Sequence, residues 1–261
     1  MKRLIVLIIC ALAPFLAFAQ GTVNELESDF GGRVSVEIDK KLATGLHVTL
    51  GGQARLYDGF TDFGRYQADL GVTYKFNQWL RAGAGYIFIE NKDSEGLWSP
   101  RHRFYADVTG RVKTGSWVFS LRERFQLTRR DGVNVYQTAP NAMALRSRLK
   151  AEYGALGSVS PYAFFEARLT LNDPACSASW NGSEYSDYTF LGYTDTYFSR
   201  YRGCLGAKLK LNSRNAFDLY VMGDYDYEKD VDTNKKGTKL KSLTYDRSFN
   251  INVGVGYTFS F

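Results

Sequence analysis

From position 249 onward the chain reads FNINVGVGYTFSF, in which Phe249, Ile251, Val253, Val255, Tyr257, Phe259 and Phe261 alternate with small or polar residues. Successive side chains of a strand point to opposite faces, so this stretch predicts one strand with an apolar face and a wet face. The same period of two recurs upstream. It predicts strands at about 33–41, 45–57, 64–76, 79–90, 101–113, 116–129, 143–153, 159–172, 196–212 and 215–228. The connections alternate in length. LATG, NQ, TG, GALGS and NSRN are short; DGFTDFG, NKDSEGLWSP, RDGVNVYQTAPNA, DPACSASWNGSEYSDYTFLGYTD and KDVDTNKKGTKLKSLTYD are long. A β-sandwich gives no reason for that alternation, whereas a membrane barrel has short turns at one end and long loops at the other.

The last strand should end on the short-turn side, and counting back puts the start of 33–41 on the long-loop side. Bacterial barrels have even strand numbers, which asks for one more strand within TVNELESDFGG, at 22–32. Asn24, Glu25, Glu27, Ser28 and Asp29 make that segment poor strand material. The expected fold is an all-β, up-and-down antiparallel transmembrane barrel of about 12 strands, with 10 or an odd count as alternatives.

Composition narrows the compartment. The opening MKRLIVLIICALAPFLAFAQ has Lys2 and Arg3, an apolar run over 4–18 and an Ala17-Phe18-Ala19 site. It predicts a signal peptide over 1–19, a segment 20–32 and a barrel over 33–261. As a membrane anchor the run is too short, and Pro14 interrupts it. With 18 Tyr, 18 Phe and 25 Gly against 5 Pro, the rest is aromatic-rich strand material, although the mean hydropathy is only −0.29. A soluble secreted sandwich is the rival. Cys176 and Cys204, in an oxidising compartment, are candidates for a disulfide. The net charge of +6 points to anionic partners, and no nucleic-acid motif accompanies it.

The stretches WSPRHRF (98–104), SLRERF (120–125), LRSRLKAEY (145–153), SPYAFFEARL (160–169), RYRGCLGAKLKL (200–211) and the terminal VGVGYTFSF, taken in order, resemble the outer-membrane barrels of Bacteroidota catalogued as domain-of-unknown-function family 2490. The resemblance implies an integral outer-membrane barrel of a Gram-negative bacterium, in contact with outer-membrane lipid, and no agreed activity. It also implies that Tyr257, Phe259 and Phe261 form a C-terminal signal read by the barrel assembly machinery. One departure is that Glu123 stands between Arg122 and Arg124, on the opposite face. That register turns a carboxylate toward lipid, so a β-bulge near 121–124 is expected to rotate Glu123 into the lumen, the alternatives being a strand set high or low enough to leave Glu123 at the interface, or a neighbouring subunit packed over it.

The wet faces carry the chemistry. The alternation points Arg101, Arg103, Arg122, Arg124, Arg146, Arg148, Arg168, Arg200 and Arg202 inward, in the outer half of the lumen. Asp107, Glu152, Glu166, Asp224 and Asp226 face the same way. Two readings follow. The arginines form a patch that binds or selects a small anionic solute, as charged rings do in pores; or they pair with the five acids and fill a narrow, passive barrel. A membrane-embedded hydrolase or acyltransferase is the third class. Of the two histidines, His47 faces the lumen near the short-turn end and His102 faces outward, so no Ser-His-acid or metal cluster assembles. No enzyme activity and no cofactor are expected. The 173–195 segment is expected to be a surface loop, or a loop folded into the lumen as a constriction; bridging Cys176 to Cys204 would force the latter.

Overall fold

A computed structural model describes residues 22–93 and 95–261; the predicted signal peptide lies outside them. Eleven strands form the described chain: β1 (Thr22–Ala43), β2 (Leu46–Tyr57), β3 (Asp62–Lys75), β4 (Leu80–Lys92), β5 (Trp98–Thr114), β6 (Trp117–Arg130), β7 (Asn141–Tyr153), β8 (Val159–Trp180), β9 (Tyr185–Lys210), β10 (Asn215–Thr233) and β11 (Leu240–Ser260). They close into one barrel in chain order. Consecutive strands pair antiparallel, and β1 closes on β11 in parallel. An odd number of up-and-down strands leaves the first and last pointing the same way, so the closing pair must be parallel.

The described strand number is therefore eleven rather than twelve. The segment 22–32 is not a separate strand but the first half of β1, continuous with 33–43. Its polar residues make a weak strand alone, yet Thr22–Asp39 runs beside Thr244–Ser260 of β11. Without it the backbone of β11 would present an open edge, and that demand overrides local propensity.

Alternation turns the usual globular arrangement inside out. Leu50, Leu70, Phe104, Val108, Leu121, Leu149, Leu205 and Val221 face outward and are each at least half exposed. Glu166, Arg202, Asp224 and Arg33 are buried inside. Lumen tyrosines lie flat across glycines of neighbouring strands. A Cβ at Gly206 would stand 2.6 Å from the Tyr162 ring, and one at Gly85 would meet Tyr105 at 2.5 Å. Glycine is needed there because the ring occupies the Cβ position.

The longest expected loops are strand instead. β7–β8 pairing stops at Ala144 opposite Thr170, and β9–β10 pairing at Asp226 opposite Arg200. Beyond those points β8–β9 and β10–β11 continue as two hairpins on the long-loop side. The β8–β9 tip turns tightly at Gly182, where φ is 99°, and Asn181 Oδ1 accepts from the backbone N–H of Ser183 at 3.0 Å and of Glu184 at 2.9 Å. Side chains tie the hairpins together: Lys229 Nζ pairs with Asp195 and donates to the Pro174 carbonyl, and Lys239 meets Glu184 at 2.9 Å. The connection 131–140 leans on them, with Gln137 Nε2 donating to Asp232 at 2.7 Å and the Tyr193 hydroxyl donating to the Val135 carbonyl at 2.8 Å. Segment 173–195 therefore stands up from the barrel and does not fold into the lumen.

Candidate functional site

The lumen holds a cavity of about 800 Å³ lined by thirteen arginines. All nine arginines expected from the sequence are among them, joined by Arg33, Arg55, Arg65 and Arg130. Register explains how they meet. One row across the sheet runs Arg122, Arg148, Glu166, Arg202, Asp224 on β6 to β10; a neighbouring row runs Asp107, Arg124, Arg146, Arg168, Arg200, Asp226 on β5 to β10. Cross-strand neighbours in a row stand only ~5 Å apart, so opposite charges in a row can pair directly.

On this wall the acids are saturated. Glu166 is 1% exposed and takes four arginines: Arg148 Nε at 2.8 Å, Arg146 Nε at 3.0 Å, Arg122 Nη2 at 3.2 Å and Arg202 Nη1 at 3.4 Å. Asp224 accepts from Arg33 Nη2 at 2.6 Å and Arg202 Nη2 at 3.1 Å. Asp107 Oδ2 accepts from Arg124 Nε at 2.8 Å, and Asp226 pairs with Arg200. Glu152, the fifth expected acid, pairs with Lys150 at 2.9 Å rather than with an arginine. Arg168 reaches only the exposed Glu228, at 3.8 Å.

The opposite wall differs. Arg55 on β2, Arg65 on β3, Arg101 and Arg103 on β5 and Arg130 on β6 have no carboxylate within 4.0 Å among the described residues. Arg55 Nε donates to Gln53 at 2.8 Å and Arg103 Nε to Thr128 Oγ1 at 2.9 Å. The buried Nε atoms of Arg65 and Arg130 have no partner among the described residues, and neither has Nε of Arg122. Between them β4 contributes Ile87 and Ile89, buried at 8% and 0% exposure on the lumen side. All five arginines lie toward the long-loop ends of their strands. The rim is low there, since β2–β3 and β4–β5 are joined by the short segments 58–61 and 93–97.

Three expectations are corrected. Cys176 and Cys204 are both free. The β8 residue opposite Cys204 is Phe164, twelve positions before Cys176 and so roughly 40 Å away along a strand, far beyond disulfide reach. Next, β6 carries no bulge: its ladder is regular from Trp117 to Arg130 against β5 and from Trp117 to Arg129 against β7. Glu123 faces outward opposite Ser147, whose hydroxyl donates to Glu123 Oε2 at 2.5 Å. A slip at this point would have turned Arg122 or Arg124 out of the rows that pair them, so the register wins over the outward, half-buried carboxylate. Third, the acids do not neutralise the arginines as a set, because the β2–β6 wall keeps five without one.

His47 and His102 stay apart. His47 Nδ1 lies 3.2 Å from Asp39, while His102 Nδ1 meets the Tyr86 hydroxyl at 2.7 Å on the outer face.

A family model described as "Protein of unknown function (DUF2490)" matches residues 33–235. Among solved structures the chain is similar to OmpT (in-vitro folded), an outer membrane protein of Vibrio cholerae, at 15% identity and a TM-score of 0.34. The match covers 76% of this chain and 58% of that one, so the chain spans under two thirds of that protein's length. No curated protein matches.

Proposed function

The chain belongs to the DUF2490 family of proteins of unknown function, and on that premise we propose that it is an integral outer-membrane barrel whose lumen binds small anions and selects for them. The outward apolar band supports the membrane setting, since a greasy surface of this extent, broken among the strands' outer positions by few polar groups such as Glu123 and His102, is unfavourable in water. Aromatic girdles mark both edges. Phe63, Tyr66 and Trp98 cluster at the long-loop edge, with Trp98 5.7 Å from Phe63 and 5.3 Å from Tyr66. Trp117 with Tyr153, and Phe217 with Tyr257, mark the other, at 5.0 Å and 5.3 Å. Such belts sit at the two membrane–water interfaces. On this reading the hairpins stand outside the cell, the short turns face the periplasm, and residues 1–19 direct export in a Gram-negative cell of Bacteroidota type. The outward Tyr257 and Phe259, with Phe261, then present the assembly signal.

The observation that carries the anion reading is the set of five arginines without carboxylates. An uncompensated charge in a confined lumen costs several kcal/mol, so that wall calls for anions from solution. A passive structural role accounts for the salt-bridged wall and leaves the other unexplained. A non-enzymatic role is favoured because His47 and His102 lie on opposite faces of the sheet. The test is the reversal potential across a planar bilayer under a potassium chloride gradient. The expected result is anion selectivity that falls in Arg101→Gln and Arg130→Gln. Cation selectivity unchanged by both substitutions would reject the reading.

A further inference from the structure

We infer that the partnerless wall is a binding site for a multivalent phosphoryl anion that enters over the low rim. This rests on the anion reading above and goes further by naming the ligand's chemistry. First, a single monovalent anion would leave most of the charge on Arg55, Arg65, Arg101, Arg103 and Arg130 without a direct partner, since no carboxylate of the described residues lies within 4.0 Å of them and Glu228, which also lines the cavity, is turned to Arg168 at 3.8 Å. Second, these guanidiniums come from four strands, β2, β3, β5 and β6, around a curved wall. A carboxylate accepts within one plane, whereas a tetrahedral phosphoryl group offers oxygens in several directions to converging forks. Third, the orphaned Nε–H groups of Arg65 and Arg130 are directional donors without acceptors, which a phosphoryl oxygen satisfies and a halide satisfies poorly.

The two walls then divide the labour. Glu166, Asp224, Asp226 and Asp107 hold the facing arginines in fixed pairs, so these do not compete for the ligand. Ile87 and Ile89 back the free wall and cover the aliphatic stems of the arginines beside them.

The experiment is isothermal titration of the full barrel, refolded in neutral detergent, with sodium pyrophosphate, citrate and chloride. Pyrophosphate is expected to bind about tenfold or more tightly than citrate, and chloride far more weakly than either. Arg65→Gln and Arg101→Gln should each weaken pyrophosphate about tenfold, with heat-modifiable gel migration confirming the fold. Arg65→Lys, which keeps the charge and loses the fork, should weaken it as well and serves if the glutamine variant does not fold. Arg129→Gln, at an exposed position paired with Asp131 outside the cavity, should change nothing. Citrate or chloride binding as tightly as pyrophosphate would overturn this inference and leave the anion reading standing. Binding of none of the three would overturn both.

Discussion

Glu166→Gln should lower the stability of the barrel by about 3–5 kcal/mol, because it leaves buried arginines without their shared counter-charge. Four guanidiniums converge on this one carboxylate, which is almost wholly shielded. Glutamine preserves the shape and can still accept hydrogen bonds, so the loss measures the charge. Urea unfolding in lipid vesicles, followed by tryptophan fluorescence, reads it directly. Glu152→Gln is the internal reference. Its pair with Lys150 is more than a quarter exposed on both sides, and pairs of that kind contribute about 1 kcal/mol or less. Equal effects from the two substitutions would show that Glu166 does not organise the lumen.

Val34→Cys combined with Val255→Cys, in a background carrying Cys176→Ser and Cys204→Ser, should form a disulfide across the closing seam. Val34 of β1 stands opposite Val255 of β11 in the parallel ladder. A bridge there ties together residues at the two ends of the barrel, and in the chain-entropy picture a loop of that size adds about 5 kcal/mol. Non-reducing gels of the denatured protein should show a compact, faster-migrating band that reductant removes. In a twelve-strand barrel another strand would separate the two positions by about 10 Å, too far for a bridge. Two alkylatable thiols would therefore contradict the eleven-strand closure.

Much of this architecture was legible because a period of two fixes the face of every residue once a strand is recognised. That is why the nine arginines from Arg101 to Arg202 fall in the lumen as expected. Arg55 and Arg65 occupy the same inward register of the stretches 45–57 and 64–76 and could have been read with them. Arg130 lies one position past an expected strand end. Ile87 and Ile89 on the wet face of 79–90 were a visible break in the alternation. Which arginine meets which acid was not legible, because pairing depends on the stagger between strands, and Glu166 gathers partners from three neighbouring strands. Strand number was hidden for a different reason: the backbone of β11 needs a partner regardless of how polar that partner's side chains are. The tall β8–β9 hairpin carried a readable sign in Asn181-Gly182, a favoured tight-turn pair.

The central claim is that anions occupy the β2–β6 wall of the lumen, and anomalous diffraction from bromide-soaked crystals tests it most directly. Anomalous peaks are predicted within hydrogen-bonding reach of Arg65, Arg101 and Arg130, weakened in Arg101→Gln. Peaks confined to exposed lysines, with the lumen arginines turned onto protein carboxylates, would contradict it.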